Sequence, residues 1–470
     1  GHRDLESIKR FTGFGTGMCQ GKQCQSAVAR FVSERVPQQP VQPFTPRPPL
    51  FPTPISTWAS ASFDPLHAPD GGVPLDADMT WAARSQEPIR ARARVVIIGG
   101  GVMGLALAYN LALRGETDVM VLERGYLCAG ASGRNGGGVR MQWGTPTLVG
   151  LAKRSIELMR GFASELGINV WLRQGGYLFL STSAEVTAKL ERSAKLHNQL
   201  GVPTEIITPD AARELVPQLA TRGVHACSWN PDDGVIFPWP FVWGYARGFE
   251  ARGGVVEPFT AVTGFAQANG RITAVHTSRG TVSCDTVVIA SGAWSPSVAA
   301  LAGVQLPNTP HRHEICSSEP LKPFLGPLVS VLESGLYFSQ SMRGEIVGGM
   351  GDPREPAGIN LGSTLRFLTR YAQALQTFMP GLGQLKILRQ WSGPYDVTPD
   401  NSPILGRTPG LPNLLQLSGF VGHGFMMAPA VAERMAGWMV TGERDDELFE
   451  RFSLHRFAEG RLEREDMIIG

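Results

Sequence analysis

Lysine, cysteine and unbalanced charge are all scarce in this 470-residue sequence. The six cysteines, at positions 19, 24, 128, 227, 284 and 316, form no regular framework, which argues against a small disulfide-stapled secreted domain. The formal net charge of only +2 gives no indication of a nucleic-acid partner. Because 43% of the residues are apolar and 18% are charged, the chain can bury large cores, and a disordered, collagen-like or coiled-coil structure is excluded.

Long apolar runs are also rare. The uncharged stretch 95–113 has the length of a membrane span, but four glycines cluster near its start, so we interpret it as a buried strand followed by a helix. The first ten residues are charged rather than apolar, and we expect no signal peptide. We therefore expect a cytoplasmic protein without a membrane span, and leave open a peripheral association with a membrane through partners.

Length predicts two or three domains, and composition divides the chain. Residues 1–34 are a short, charged, partly helical segment with a glycine-rich loop, and residues 35–91 are a proline-rich linker that we expect to be extended. From residue 92 onward the pattern is that of a large α/β protein. The principal predicted strands are 95–98, 119–122, 175–182 and 413–418, and the predicted helices are 147–166, 184–199, 208–216, 238–252, 362–379 and 425–441.

The motif at 95–104, VVIIGGGVMG, predicts a dinucleotide site. Gly99 permits a tight turn, Gly101 permits a pyrophosphate to approach the backbone, and Gly104 permits the following helix to pack on the strand. The N-terminus of that helix supplies backbone N–H groups to phosphates. Glu123 ends the next predicted strand, where its carboxylate can accept hydrogen bonds from a ribose.

Two further glycine-rich segments favour FAD over a nicotinamide cofactor. The first, GASGRNGGGVRMQWG, spans 130–144, and the second, GFVGHGFMMAPA, spans 419–430 and precedes a predicted helix. A nicotinamide dehydrogenase has no need of the first segment, whereas a flavoprotein can run this backbone along the pyrophosphate. The N-terminus of the last helix can stabilise negative charge on a reduced flavin ring.

These motifs, together with VVIASGAWS (287–295) and WSGPYDVTPDNSPILG (391–406), resemble the D-amino-acid oxidase/sarcosine oxidase superfamily of FAD enzymes. The closest subgroup is the β subunits of multi-subunit sarcosine oxidases and of proline or opine dehydrogenases. The resemblance implies an α/β (α+β) fold in which a GR2-type Rossmann-like FAD domain is interleaved with a mixed-sheet substrate domain. It assigns 92–175, 251–305 and 396–470 to the FAD domain, and 176–250 and 306–395 to the substrate domain.

The resemblance also assigns roles to individual residues. Arg140 is expected to bind a substrate carboxylate, a task that suits the planar guanidinium. Tyr337 and Tyr395 are candidate catalytic residues, although both could be ordinary strand tyrosines, and His423 is either a base or a residue held by its backbone. Met426 stands where some relatives have a lysine near the carboxylate. The expected cofactor-binding residues are Gly99, Gly101, Val102, Met103, Gly104, Glu123, Arg124, Ala131, Ser132, Arg134, Asn135, Gly136, Gly137, Gly292, Trp294, Gly393, Gly422, His423, Gly424, Phe425 and Met426.

Two departures from the superfamily pattern affect the expected chemistry. Relatives with a covalently bound flavin have a cysteine at the position of Gly393, so the resemblance implies non-covalent FAD. The lysine that promotes reaction with oxygen in monomeric sarcosine oxidases aligns near Ile346, and only Lys322 and Lys386 occur beyond residue 200. A dehydrogenase that passes electrons to partner carriers is therefore expected, with FMN at a subunit interface as one candidate carrier.

The N-terminal sequence DLESIKRFTGFGTGMCQGKQC resembles the latter half of a bacterioferritin-associated-ferredoxin-like [2Fe–2S] domain. Cys19 and Cys24 would match its last two ligands, but a [2Fe–2S] cluster needs four. Either another chain or further residues supply two ligands, or the segment is a helix and loop that docks without a cluster.

The expected function is the oxidation of a C–N bond in a small amino acid or secondary amine of the sarcosine, proline or opine type. Electrons would pass to partner subunits. Two alternatives stay open: a self-sufficient oxidase that forms H2O2, and a non-catalytic FAD-binding subunit.

Overall fold

The computed structural model describes residues 4–17, 19–35, 41, 49, 52–61, 88–442, 446–465 and 467. Most of the predicted linker at 35–91 lies outside these residues. The helices of the described part are α1 (Leu5–Thr12), α2 (Gln25–Arg35), α3 (Ile55–Ser60), α4 (Val102–Leu113), α5 (Pro146–Leu166), α6 (Ala184–Gln199), α7 (Pro209–Leu215), α8 (Pro238–Glu250), α9 (Ser295–Ala300), α10 (Leu365–Phe378), α11 (Gly424–Thr441) and α12 (Asp446–Arg451).

The strands of the same part are β1 (Thr53–Pro54), β2 (Val95–Ile98), β3 (Val119–Leu122), β4 (Gly138–Val139), β5 (Tyr177–Ser181), β6 (Glu205–Ile207), β7 (Ala226–Asn230), β8 (Gly234–Val235), β9 (Val255–Glu257), β10 (Val262–Ala268), β11 (Arg271–Thr277), β12 (Gly280–Ser283), β13 (Thr286–Ile289), β14 (Thr309–Pro320), β15 (Leu328–Val331), β16 (Leu336–Gln340), β17 (Glu345–Met350), β18 (Lys386–Val397), β19 (Ile404–Thr408) and β20 (Leu411–Ser418). The predicted strands and helices named above are all present, with ends shifted by at most a few residues.

A six-stranded sheet has the order β19-β20-β13-β2-β3-β9 and is parallel except at β19. Strands β2 and β3 are buried on both faces, which explains their uninterrupted apolar sequences. Helix α4 follows β2 and packs beside α11 and α8. The stretch 95–113 therefore forms a buried strand and helix, and no helix in the described residues is long and apolar enough to cross a membrane.

A second, nine-stranded sheet has the order β1-β18-β14-β17-β16-β15-β5-β7-β6. Its strand pairs are antiparallel apart from β15 with β5, so the sheet is mixed as expected. The chain alternates between the two sheets, which confirms the interleaved α/β fold. Within the second sheet, β14 lies next to β18, and His313 is directly opposite Gly393.

The N-terminal segment, which we define as residues 4–17 and 19–35, packs on the α/β body. Helix α1 begins after Asp4, whose carboxylate accepts a hydrogen bond from the Ser7 amide, and ends at Gly13 in a left-handed conformation. The Phe11 ring lies 5.4 Å from the Trp243 ring of α8. The segment is therefore docked beside the helices that flank the parallel sheet.

Gly104 sets how closely α4 approaches the turn after β2. A Cβ at position 104 would overlap the carbonyl oxygen of Gly99 and would lie 3.2 Å from the Ile97 side chain. Backbone atoms cannot move aside as a flexible side chain can, so only glycine fits here. This contact holds the N-terminus of α4 directly against the glycine-rich turn.

We predict that Gly104→Ala lowers the free energy of unfolding by about 1–3 kcal/mol, because the added methyl group forces the helix away from the turn. The matched control is Gly150→Ala on α5, where a Cβ would meet nothing within 4 Å. That substitution should raise stability by about 0.5–1 kcal/mol, since alanine favours the helix. Urea unfolding of both variants measures the effect, and equal shifts would contradict the packing role of Gly104.

Candidate flavin and substrate site

A cavity of about 440 Å³ lies where the glycine-rich segments meet the second sheet. Every expected cofactor-binding residue except Gly104 lines it, and so do Tyr337 and Tyr395. Segments from opposite ends of the sequence therefore converge on one cavity, of a size typical for small-molecule sites.

The turn after β2 lines the cavity on one side and packs closely against the protein on the other. Gly99 has a φ of +121°, and a Cβ there would overlap the Ala290 carbonyl oxygen. Gly101 precedes the first turn of α4 in an extended conformation, and the Val102 amide donates a 2.9 Å hydrogen bond to Ser132 Oγ. The turn and the start of α4 thus form the backbone cradle that a pyrophosphate requires.

Glu123 lies beside this cradle at the end of β3. Its carboxylate accepts hydrogen bonds from the amides of Gly100 at 2.8 Å and Gly125 at 2.7 Å. Burial raises the pKa of Glu123, and the two amide hydrogen bonds oppose this rise. The carboxylate is therefore fixed at the cavity wall, where it can still accept hydrogen bonds from a ribose.

The loop that follows Glu123 has its carbonyl oxygens engaged within the protein. The carbonyl oxygens of residues 128–134 all accept hydrogen bonds. Side chains donate to five of them: Arg10 to Cys128, Arg134 Nε to Ala129, Asn135 to Ser132, Arg10 and Trp239 to Gly133, and Trp391 to Arg134. The amides of Gly133 and Arg134 donate to the other two, those of Gly130 and Ala131. None of these oxygens is left to repel an anionic phosphate. We define residues 126–135 as the flavin loop.

These features fit a dinucleotide such as FAD. The backbone of the turn lines the cavity, a helix begins there, a fixed carboxylate stands at its wall, and the carbonyl oxygens of 128–134 accept hydrogen bonds within the protein. Non-covalent binding is consistent with Gly393, which has no side chain and faces Ala131 and Arg134.

Another wall of the cavity is aromatic and comes from the second sheet. The rings of His313 and Tyr395 stack with centroids 4.5 Å apart, and His313 also stacks on Tyr337 at 5.7 Å. The His313 Nε2 atom lies 3.2 Å from the Tyr337 hydroxyl. Tyr177 lines the same cavity from β5. These strands therefore place three tyrosines and a histidine around one space.

Burial keeps this aromatic wall uncharged. It lowers the pKa of His313 to about 4 and raises the pKa of Tyr337 well above its usual value. The pKa of Tyr395 is raised by burial, and the charge of Arg140 opposes the rise. Near neutral pH the wall can donate and accept hydrogen bonds but carries no charge.

His423 stands just before α11, and its ring meets the Trp143 ring edge-on with centroids 4.8 Å apart. Burial lowers its pKa well below the usual value, and the charge of Arg140 lowers it further. A Cβ at the neighbouring Gly422 would overlap the Tyr395 ring. The loop before α11 is therefore packed tightly against the aromatic wall, and the imidazole of His423 is neutral near neutral pH.

Arg140 is not part of the cavity lining. Its guanidinium is 1% exposed and donates hydrogen bonds to the carbonyl oxygens of Gln142 and Met467, while it stacks over the Trp143 ring at 3.9 Å. The guanidinium thus contacts the Met467 carbonyl instead of lining the cavity, and its expected role in binding a substrate carboxylate stays a prediction. The positive charge of Arg140 still acts on Tyr395 and His423, since it lowers the pKa of both side chains. Met426 does line the cavity.

Sequence reasoning missed Tyr177, His313 and Asp396, which also line the cavity. Asp396 accepts hydrogen bonds from the Gly419 amide at 2.6 Å and from Asn308 at 2.8 Å, and burial raises its pKa to about 7. Asp396 follows Tyr395 directly in the quoted 391–406 motif, which was a usable signal. His313 and Tyr177 lie on strands without a recognisable motif.

Cys19 and Cys24 lie in the turns between α1 and α2 and are half-buried. Backbone hydrogen bonds from Gln23 and Gly21 lower the pKa of Cys19, which favours its thiolate. Among the residues that the structure describes, no group of three or more His, Cys, Asp or Glu side chains could hold a metal ion. Within those residues, the two thiols therefore have no further ligands.

The depressed pKa of His313 predicts a pH-dependent stability. Between pH 6.5 and 4 the unfolded chain binds a proton at this histidine that the folded chain does not, so the free energy of unfolding falls as the pH drops through this range. The contribution of His313 should reach about 3 kcal/mol and should be missing from the pH dependence of His313→Phe, which keeps a stacked ring. Urea unfolding from pH 4.5 to 7, with His276→Phe as an exposed control, measures it. Parallel curves for wild type and His313→Phe would contradict the assignment.

Comparison with known proteins bears out the superfamily resemblance. A family profile described as "FAD dependent oxidoreductase" (DAO) matches residues 94–438, and one described as "Sarcosine oxidase A3 domain" matches residues 1–62. Sarcosine oxidase subunit beta of Rhizobium meliloti is 32% identical over 394 residues, which cover 83% of this chain and 94% of that protein.

Solved structures agree. The crystal structure of L-proline dehydrogenase from P. horikoshii is 35% identical, with a TM-score of 0.76 and coverage of 80% of this chain and 100% of that chain. Glycine oxidase from Geobacillus kaustophilus is 26% identical, with a TM-score of 0.72 and coverage of 78% and 99%. The chain belongs to the DAO family of FAD-dependent oxidoreductases.

Proposed function

We propose that this protein is a dehydrogenase that oxidises the C–N bond of a small amino acid or secondary amine, of the sarcosine, proline or opine type, to an imine. The observation that carries the proposal is the single cavity in which a dinucleotide cradle meets an uncharged aromatic wall. The names of the relatives support it, since sarcosine oxidase, L-proline dehydrogenase and glycine oxidase all act on small amino acids.

FAD, when bound, supplies the acceptor for the hydride equivalent that leaves the carbon next to the nitrogen. The chain's own residues prepare the amine for this loss. An ammonium group has no lone pair to assist hydride departure, and burial against an uncharged wall lowers its pKa. Tyr337 and Tyr395 offer neutral hydroxyl groups that can orient the amine, with His313 hydrogen-bonded to Tyr337. Holding the C–H bond in place would supply much of the rate.

Arg140 is our candidate for recognition of the substrate carboxylate. It is a buried cation whose charge affects both Tyr395 and His423. Direct contact would require the Met467 carbonyl to give up its hydrogen bond from Arg140. Without that rearrangement, the positive potential of Arg140 would still favour a carboxylate at this wall. Met426 would then contact the substrate as an apolar neighbour.

The choice of dehydrogenase over oxidase depends on the missing lysine. No lysine lines the cavity in the described part of the chain, and Ile346 lies in the core of the second sheet instead. A fixed cation would stabilise the developing superoxide in a reaction with oxygen. An oxidase that forms H2O2 and an FAD-binding subunit without catalysis are the alternatives.

Partner subunits and further carriers complete the proposal. The likeness to a sarcosine oxidase β subunit favours a multi-subunit electron-transfer complex, located in the cytoplasm. For FMN, the candidate place is an interface with a partner near a second cavity of about 130 Å³ beside the flavin loop, where Lys9, Arg10, Arg343 and Arg389 are paired with Glu6 and Glu345. A [2Fe–2S] cluster at Cys19 and Cys24 would need two ligands from another chain or from residues outside the described part.

Mixing the FAD-loaded protein with amines under anaerobic conditions tests the function. We expect at least one of sarcosine, proline, hydroxyproline, glycine or an opine to bleach the flavin absorbance, with an imine or its hydrolysis product as the product. On admission of air, reoxidation should be slow, and an artificial acceptor dye should speed it.

Two results separate the alternatives. Rapid reoxidation with stoichiometric H2O2 would indicate an oxidase instead of a dehydrogenase. If no amine in the panel bleaches the flavin while dithionite does, the catalytic proposal is wrong and the non-catalytic subunit is favoured.

The role of Arg140 predicts a selective effect on substrates that have a carboxylate. Arg140→Met should raise the KM for the accepted amino acid by about tenfold to a hundredfold, because a charge-assisted interaction is lost. The KM for the matched amine without a carboxylate, such as pyrrolidine for proline, should change little. Arg140→Lys, which keeps the charge, should have a KM for the amino acid between those of the wild type and Arg140→Met. Equal changes for both substrates would show that Arg140 acts only on the fold.

A further inference from the structure

Arg10, on α1, reaches from the N-terminal segment into the body of the flavoprotein. Its side chain is 3% exposed, and Leu5, Glu6, Ser7 and Lys9 of the same helix are also buried. Three parts of the flavin loop accept its hydrogen bonds: Nη1 donates to the Cys128 and Gly133 carbonyl oxygens at 3.1 Å each, and Nη2 donates to the Tyr126 hydroxyl at 2.9 Å. These acceptors lie more than 110 residues away in the sequence.

The contact is closely packed and charge-compensated. The guanidinium lies 4.9 Å from the centre of the Tyr126 ring and 5.6 Å from that of Trp239. Glu6, one turn earlier on α1, pairs with Arg10 Nε at 3.5 Å. Burial opposes the charged form, but Tyr126 and Glu6 outweigh it and keep the pKa of Arg10 above its usual value. Arg10 is therefore a permanent cation in this position.

Arg10 acts on the part of the loop that borders the cofactor cavity. A Cβ at Gly133 would overlap the Cys128 carbonyl oxygen and would lie 2.7 Å from Arg10 Nη1, so the loop is folded tightly around the guanidinium. The intervening residues Ala129, Gly130, Ala131 and Ser132 all line the cavity. Without Arg10, the Cys128 carbonyl would lose its donor while buried, and the loop would have to rearrange to satisfy it.

We propose that Arg10 is a positioning residue for FAD, through which the N-terminal segment helps to form the flavin site. The proposal rests on FAD binding, which the family membership supplies, and it adds a role for a segment outside the FAD-dependent oxidoreductase match. The guanidinium turns two loop carbonyls toward itself and so shapes the backbone that the cofactor meets. Because such coupling is reciprocal, bound FAD should also stabilise α1.

Titration of FAD into apoprotein tests whether Arg10 positions the cofactor. Arg10→Ala should raise the Kd for FAD by about tenfold or more, since two buried carbonyls lose a charge-assisted donor. Arg10→Lys, a point charge without the planar fork, should recover only part of the affinity. Guanidinium chloride at low millimolar concentration should restore binding to Arg10→Ala, whereas tetramethylammonium chloride should not. Arg30→Ala, an exposed arginine on α2, is the matched control and should bind FAD as the wild type does.

Hydrogen–deuterium exchange tests whether bound FAD stabilises α1. FAD should slow exchange in peptides from residues 4–17 of the wild type, and this protection should be lost in Arg10→Ala even at saturating FAD. Either of two results would overturn the proposal. The first is an unchanged FAD affinity in Arg10→Ala. The second is a weakened affinity that guanidinium does not restore, together with full protection of α1 by FAD. If the wild type itself bound no FAD, the proposed function would fail instead, so the two failures are distinguishable.

Discussion

The carbonyl oxygens of residues 128–134 in the flavin loop are engaged by protein donors, and the cofactor site depends on this arrangement. A peptide chain that wraps around an anionic pyrophosphate must keep its acceptors away from the phosphates and offer its N–H groups. Here side chains from distant parts of the sequence, Arg10, Trp239 and Trp391, supply donors, and Arg134 adds a local one. The cradle after β2 and the carboxylate of Glu123 complete the same cavity.

The second sheet contributes the chemistry that the first lacks. Its strands bring His313, Tyr337 and Tyr395 into one stack whose groups are neutral because they are buried. Neutral hydroxyl and imidazole groups suit an amine that must lose its proton, since a fixed negative charge would hold it as an ammonium. We propose that Arg140, behind this wall, provides the positive potential that distinguishes an amino acid from a simple amine.

Much of this was predictable because the signals are local. The apolar runs of the sequence predicted the buried parallel strands. The spacing of Gly99, Gly101 and Gly104 predicted the glycine-rich turn after β2 and the helix α4 that follows it. Contacts between distant residues were not predictable. Arg140 has the residue type for a carboxylate site, but its partner Met467 is 327 residues away, and no local pattern shows that these two residues are in contact. His313 is one histidine among nine, distinguished only by the strands beside it.

The most direct test of the account is an experimental structure of the protein with FAD bound. The account predicts phosphate oxygens within hydrogen-bond distance of the first turn of α4 and of the flavin loop, a ribose at Glu123, and the isoalloxazine ring beside Tyr337 and Tyr395. A flavin bound elsewhere, or a pyrophosphate that contacts neither the turn after β2 nor the flavin loop, would contradict it.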